Sequence, residues 1–527
     1  MPGTIVMEKN GCATRAASRA LARLRPLAAA LALAAASSEL GAVTRVRPGE
    51  MPGTDSAVRE DGTRLRTALR AWHLDALNNP GSPAPNATTR SVTNCDDDGD
   101  GSLRAVIAAS ASGDTVDLSA LRCSRISLDT GAVAVRLDSV TLIGPPSRAL
   151  VIDGNDLDRV FLHYGYGGFL LRDLTVRNGR NRATGTHLGI GGCIASAGYL
   201  TLDHSTVTAC YAGGEGAYGG AIYAYSLILS SSTLSHNSAY GVHVDALDVA
   251  AFGGAAFVYQ LDVVDSTITR NAAHHQLRAL RSGYDFGGGI STVRGGLIIN
   301  STIDSNFSYG RGGGVATFAD ILVRNSTISG NSAPTTGGGG LFIRYPAMLE
   351  ARNSTVTDNT GRSGGGILFT SQAASLQSTI VSGNHGGSGA DVDGSRPVSI
   401  DGANNLVGTA SFQVTLPAGT LRGDAELMPL SYNGGPTRTH ALRPGSAAID
   451  AGNNTSQLPS DQRGPGFLRV VGPAADIGAF ELGAGGQDGG RIPVPAVSNG
   501  AAALLFTLLA FLGLRTMRRR RTGRSDG

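Results

Sequence analysis

The residues that could do chemistry in this chain are carboxylates, histidines and arginines, because Lys9 is its only lysine and lies in the leading segment. A lysine nucleophile or base in the body of the chain is thereby excluded. Asp96, Asp98 and Asp100 alternate ahead of Gly101, a spacing that can surround a hard cation such as calcium while the glycine makes the bend. The twelfth position of such a loop is Ile107 in place of a bidentate glutamate, and negative charge before a helix N-terminus is favourable without any metal. No cofactor is required by the sequence, and calcium at these three aspartates is the candidate to test.

Enzymes that cleave polysaccharides need carboxylates, or an arginine or histidine base, converging on one groove. Asp262 with Asp265, His236 with His243, and Arg270 could meet that need, and Asp265, Arg270 and His236 are the catalytic candidates. Against this, Asp265, Asn300, Asn325 and Asn353 all stand immediately before a Ser, as a recurring turn residue would. A C-terminal group, Asp450, Asp461, Arg463, Asp476 and Glu481, could hold a hydrolytic carboxylate pair. Most of its members adjoin Gly, Asn or Pro and read as turn carboxylates or structural ion pairs, and His440 reads as structural. Cysteines Cys95, Cys123, Cys193 and Cys210 have no CxxC spacing for zinc; as an even set they suit disulfides, Cys95 with Cys123 and Cys193 with Cys210 on sequence proximity.

Two repeats set the elements that would position these groups. Ser-Thr-(Val/Ile/Leu)-x-x-Asn recurs at Ser232–Asn237, Ser266–Asn271, Ser301–Asn306, Ser326–Asn331 and Ser354–Asn359, roughly 24 to 35 residues apart, the length of one solenoid coil. Between the copies stand glycine runs that end in an aliphatic residue: Gly191-Gly-Cys-Ile194, Gly219-Gly-Ala-Ile222, Gly287-Gly-Gly-Ile290, Gly312-Gly-Gly-Val315 and Gly364-Gly-Gly-Ile367. Glycine tolerates positive φ and close backbone approach, so these runs read as corners leading into strands, and stretches such as Gly296–Ile299 supply a third strand. The expected fold is all-β: a right-handed parallel β-helix over 151–400, a thin aliphatic core, and a ladder of stacked Asn side chains. About ten coils at about 4.8 Å give a rod on the order of 50 Å long. The units are too short and glycine-rich for propeller blades.

The flanking segments carry resemblances. Gly101-Ser-Leu-Arg-Ala-Val-Ile107 is similar to the hallmark of the CSLREA region of bacterial surface proteins, with Val106 as a departure, which implies that 91–150 caps the first coil. Asn433-Gly-Gly-Pro, Pro444-Gly-Ser-Ala-Ala-Ile-Asp450, Asp461-Gln-Arg463-Gly and Asp476-Ile-Gly-Ala-Phe-Glu481 occur in order and closely resemble the choice-of-anchor Q domain, here 401–482, which implies a β-rich C-terminal domain and an exported protein. Residues 1–42, with arginines before the apolar run Leu27–Ala36, read as a signal peptide, and 43–90 as a disordered leading segment. After a linker at 483–491, residues 492–527 join Pro493 and Pro495, a short apolar helix and Arg518, Arg519, Arg520 and Arg521; they resemble IPTL or PEP-CTERM sorting tails, which implies an exosortase-type processing enzyme. That helix, about 14 residues and about 21 Å, falls short of a hydrocarbon core of about 30 Å, so it suits transient anchoring in a membrane, which the resemblance implies is the inner membrane of a Gram-negative bacterium.

A net charge of +3 spread largely to the two ends gives no basic face for nucleic acid. The function expected is therefore a non-enzymatic, adhesin-like surface protein whose ladder faces bind a glycan or another surface protein. A polysaccharide lyase or hydrolase on the same scaffold is the alternative.

Overall fold

The computed structural model describes residues 87–484, apart from 147–149, 184–187, 243–250, 276–284 and 388. The expected signal peptide and sorting tail, with Pro493, Pro495 and Arg518 to Arg521, lie outside the described residues, as do His243 and nearly all of the leading segment and linker. Among the described residues no helix is long and apolar enough to cross a membrane.

The repeats do build a right-handed parallel β-helix. The Ser-Thr units stack in parallel register, so that Thr233, Thr267, Thr302, Thr327 and Thr355 lie side by side, and they extend into a 12-stranded second sheet. The aliphatic residue between the outward positions, Leu234, Ile268, Ile303, Ile328 or Val356, is wholly buried, as strand alternation requires. The glycine-led strands and the third strands share one 21-stranded first sheet, bent at its middle, instead of forming two faces. In two coils they fuse, as Ile222–Ser230 and Ala256–Val264. A third sheet of 7 short strands, including Ser238–Gly241 and Ala272–His275, follows the Asn and was not foreseen.

Two side-chain ladders run through the interior. Asn237, Asn271, Asn306, Asn331 and Asn359 each donate from Nδ2 to the Oδ1 of the Asn in the next coil at 2.9 Å, ending on Asn384. Asn384 donates in turn to Asp391 Oδ1 at 2.8 Å. The second ladder is made by the repeat serines, whose hydroxyls accept from the backbone N–H of the preceding coil's serine: Ser205 to Ser232 at 3.0 Å, Ser232 to Ser266 at 3.0 Å, Ser266 to Ser301 at 3.1 Å. Buried polar groups are costly unless bonded, and here each coil satisfies its neighbour. A Cβ on the last glycine of a run would press on this column: at Gly289 it would lie 3.2 Å from Asn306 Cγ. In the first rung of the column the Cys193–Cys210 disulfide takes the place of that Gly–Asn contact, and Cys95–Cys123 ties the N-terminal region. In the middle of the run the constraint is backbone to backbone, since a Cβ on Gly288 would collide with the Gly313 carbonyl of the next coil.

The N-terminal end is closed as a thin solenoid core requires. Helix α1 (Leu103–Ala109), capped by Ser102, lays Leu103 and Ile107 into the core beside Val92. Buried Asp114 accepts from the backbone N–H of Ala111 at 2.9 Å and of Thr88 at 2.7 Å and from Arg90 at 2.9 Å, which holds its carboxyl well below the usual range.

Coiling continues past 400 to the strand Leu421–Arg422. From there to 484 the chain makes only isolated antiparallel bridges, Leu427 with Leu442, Ser431 with Thr439 and Ser460 with Leu468, so the C-terminal block is a strap of turns. It lies on the second sheet. Thr302 Oγ1 donates to the Arg438 carbonyl at 2.6 Å, Thr327 Oγ1 donates to Gln462 Oε1 at 2.6 Å, and Thr355 Oγ1 accepts from Ala479 N–H at 3.0 Å. These threonines are buried, whereas Thr206, Thr233 and Thr267, the same repeat position in earlier coils, are half-exposed. Corner asparagines reinforce the seat: Asn325 Nδ2 donates to Ser460 O and Asn353 Nδ2 to Asn453 O.

His440 sits in that seam, 2 % exposed, with Nδ1 at 2.7 Å from the Met428 carbonyl and Nε2 at 2.8 Å from Ser329 Oγ. The carbonyl can only accept, so Nδ1 carries the proton and Nε2 accepts from the serine. Burial pushes the imidazole pKa down, with backbone bonding and the nearby Asp358 and Asp304 opposing and Arg438 adding to it. The folded form therefore binds the proton less readily than the unfolded chain. The His440 contribution is complete above about pH 6.5 and is lost as pH falls below it. Hydrogen-exchange protection in 424–484, referred to the intrinsic exchange rate at each pH, should fall between neutral and mildly acid pH, and His440→Gln should flatten that response; a wild-type response retained in the variant would assign it elsewhere.

Candidate functional site

The bend in the first sheet falls at the same place in every coil, three residues after the core residue that follows the glycine corner. The registers Ile222 to Ala256, Val258 to Thr292 and Thr317 to Ile343 carry that offset along the rod. From the N-terminal end that position holds Arg136, Tyr164, Ala197, Tyr225, Tyr259, Val293, Phe318, Arg344 and Thr370, so rings and arginines dominate it without filling every coil, and Tyr166, Tyr199 and Arg294 lie close beside. Side chains at a bend splay outward, so neighbours about 4.8 Å apart form a ridge parallel to the axis. Tyr225 and Tyr259 are stacked, centroids 5.6 Å apart at 19°, and Tyr199 meets Tyr225 edge-on at 5.8 Å. Tyr166 is 72 % exposed, Tyr164 49 % and Tyr199 37 %. Arg136 lies over the Tyr164 ring at 5.3 Å and Arg344 over Phe318 at 5.0 Å. Such a strip offers flat apolar faces, hydroxyls and fixed positive charge to an extended ligand.

A second aromatic column is closed to ligands. Tyr218, Phe252 and Phe286 stack at the glycine corners with centroids 5.1 and 5.3 Å apart, packed against Phe257, and all are buried. Burial pushes the Tyr218 hydroxyl up to about 12. This column is core.

The catalytic candidates from the sequence are corner residues. Asp265 has φ 49°, and Asn300, Asn325 and Asn353, which also precede a repeat serine, have φ 50°, 52° and 46°. Before the repeat Asn, His236 and Arg270 both have φ 56°. The chain needs a left-handed residue at each of these corners, which short polar side chains tolerate best. His236 and Arg270 are thereby exposed neighbours on successive coils, while Asp265 lies at the opposite end of the Thr267–Thr269 strand. Burial raises the Asp265 carboxyl, and a hydrogen bond from Asn300 opposes this. Asp265 thus does not stand beside the other two.

The calcium candidates do not converge either. Asp96, Asp98 and Asp100 are exposed, and among the described residues no three His, Cys, Asp or Glu side chains are grouped to hold a metal. The neighbouring Asp97 faces inward instead, accepting from Arg104 at 2.8 Å and from the backbone of Asp129 and Thr130. In the strap, Asp461 and Glu481 are built into ion pairs, while Asp476 accepts from the backbone N–H groups of Asp450 and Leu482. Arg463 forks onto Asp461 between the rings of Phe467 and Phe480, and Arg469 pairs with Glu481, both wholly buried.

One titratable pair escaped the sequence. His275 Nδ1 lies 2.6 Å from Asp285 Oδ2, whose other oxygen accepts from Ala251 N–H at 2.8 Å. The bond to Asp285 raises the His275 pKa, and burial raises that of Asp285. The adjacent His274 contacts Ser238 Oγ at 3.1 Å, so serine and carboxylate bind different histidines and no relay runs between them.

No protein-family model matches this chain, and no curated protein is similar to it. A solved structure, pectate lyase Pel9A, is similar over 75% of this chain and 97% of its own, with 14% identity and a TM-score of 0.35. The fold assignment rests on the hydrogen-bond registers. By them the chain is a disulfide-bonded parallel β-helix.

Proposed function

We propose that this chain is a surface-displayed, glycan-binding protein of a Gram-negative bacterium, non-enzymatic and adhesin-like. The observation that carries this reading is the exposed tyrosine ridge, a flat, linear, rigidly spaced strip suited to an extended sugar polymer. The signal-peptide pattern, the CSLREA-like and choice-of-anchor Q-like motifs and the sorting-type tail support export, passage through the inner membrane and release by a processing enzyme. Disulfides in both the cap and the coils suit an oxidising compartment.

The test is a glycan array probed with the full chain and its ridge variants. Tyr225→Ala and Tyr259→Ala should each weaken binding about tenfold, the effect of losing about 1.4 kcal/mol, with unchanged melting because both rings are only half-buried. Unchanged affinity in both variants, or steady depolymerisation of the bound glycan, would sink the reading.

A further inference from the structure

Building on the glycan-binding reading, we propose that the polymer is anionic: a uronate-bearing polysaccharide lying along the helix axis, its carboxylates held by Arg136, Arg294 and Arg344. Several arginines of the fold are paired with carboxylates, as in Arg104 with Asp97, Arg172 with Asp203 and Arg177 with Asp153. Among the described residues no ion pair neutralises the three ridge arginines. Two of them are held against rings instead, Arg136 on Tyr164 and Arg344 on Phe318. The charge of Arg294 acts on the neighbouring Tyr259 hydroxyl, drawing its pKa down against the rise from burial.

A guanidinium packed on a ring keeps its N–H edge free, and that planar fork matches a carboxylate in two parallel bonds. A neutral sugar would use the tyrosine faces and leave this edge to water. Arg294 and Arg344 stand two coils apart, about 10 Å, and Arg136 roughly 24 Å further toward the N-terminal end, so the charges are dealt along the strip to suit a repeating anion. The carboxylates on the same bend are turned to the backbone: Asp138 accepts from Tyr166 N–H and Asp320 from Met348 N–H.

The experiment measures binding of the full, oxidised chain to polygalacturonate and alginate, to carboxyl-reduced polygalacturonate and to single-stranded DNA, at low and high salt. Both uronate polymers should bind at least about tenfold tighter than the reduced polymer and weaken with salt. The double variant Arg294→Gln/Arg344→Gln should lose more than tenfold against the uronates and far less against the reduced polymer, with an unaltered circular dichroism spectrum. Equal binding of charged and reduced polymers overturns the anionic assignment and leaves the tyrosine ridge standing. DNA bound as tightly as the uronates, or a double variant without effect, overturns it too. Failure to bind any polymer here and on the glycan array removes the glycan reading with it.

Discussion

Replacing Arg469 by alanine is expected to release the C-terminal strap at a cost of about 3–5 kcal/mol, the usual penalty for leaving a buried ion without its partner. Arg469 and Glu481 have no exposed side-chain surface. The guanidinium also donates to the carbonyls of Gly478 at 2.9 Å and Asp476 at 3.1 Å, so its loss strands two further acceptors. Glu481 binds the backbone N–H groups of Val471 at 2.8 Å and Asp476 at 2.9 Å, and burial already pushes its carboxyl up. Without the arginine, Glu481 can stay buried only by taking a proton, so the loss should shrink in acid. The double variant Arg469→Met/Glu481→Leu should recover part of the loss, because it removes the charge that needed compensation. Hydrogen exchange of 424–484 gives the measurement, with the coil amides of 320–380 as internal reference. A single variant whose strap exchanges as slowly as wild type would show that the pair contributes little.

Asn331→Ala is expected to destabilise the coils by a similar amount. Asn331 Oδ1 accepts from both the backbone N–H and Nδ2 of Asn306, at 3.0 and 2.9 Å, and its Nδ2 donates to Ile303 O and Asn359 Oδ1. Alanine leaves two buried donors on Asn306 unmet, each worth about 1–3 kcal/mol, and opens a cavity as well. The ladder has a direction, each amide donating to the next coil, so its last member need only accept. Asp391 does so, receiving Asn384 on Oδ1 and both Thr409 N–H and Oγ1 on Oδ2. Asp391→Asn should therefore also destabilise, because an amide NH2 would face the Thr409 donor. Equilibrium denaturation with circular dichroism reads both variants, and a midpoint within error of wild type for Asn331→Ala would refute the ladder's energetic role.

The ridge shows why a surface strip is harder to read than a core. Tyr225, Tyr259, Phe318 and Arg344 share one offset from the residue after each glycine corner, so a signal did exist in the sequence. Their chemical types vary, however, and nothing local says that this offset is a bend facing solvent. Conversely, Asp265, Arg270 and His236 looked like chemistry because a carboxylate, an arginine and a histidine near coil corners are the groups a polysaccharide-cleaving site would need. The left-handed corner imposes only a backbone conformation there and accepts several side chains that meet it.

The repeats by themselves determined the coil, its parallel stacking, the aliphatic core and the asparagine column, because these follow from short-range spacing that recurs in identical form. Cysteine pairing was equally local. Only the tertiary structure decided that the glycine-led and third strands join in one bent sheet, and that the serines form a second ladder. It alone laid the strap over Thr302, Thr327 and Thr355 and left Thr206, Thr233 and Thr267 uncovered. The physical reason is range. A repeat reports what each coil does to the next, whereas the strap joins residues more than a hundred positions apart, such as Gln462 to Thr327 at a separation of 135. No periodicity encodes that contact; it arises where buried donors and acceptors on two distant segments satisfy one another.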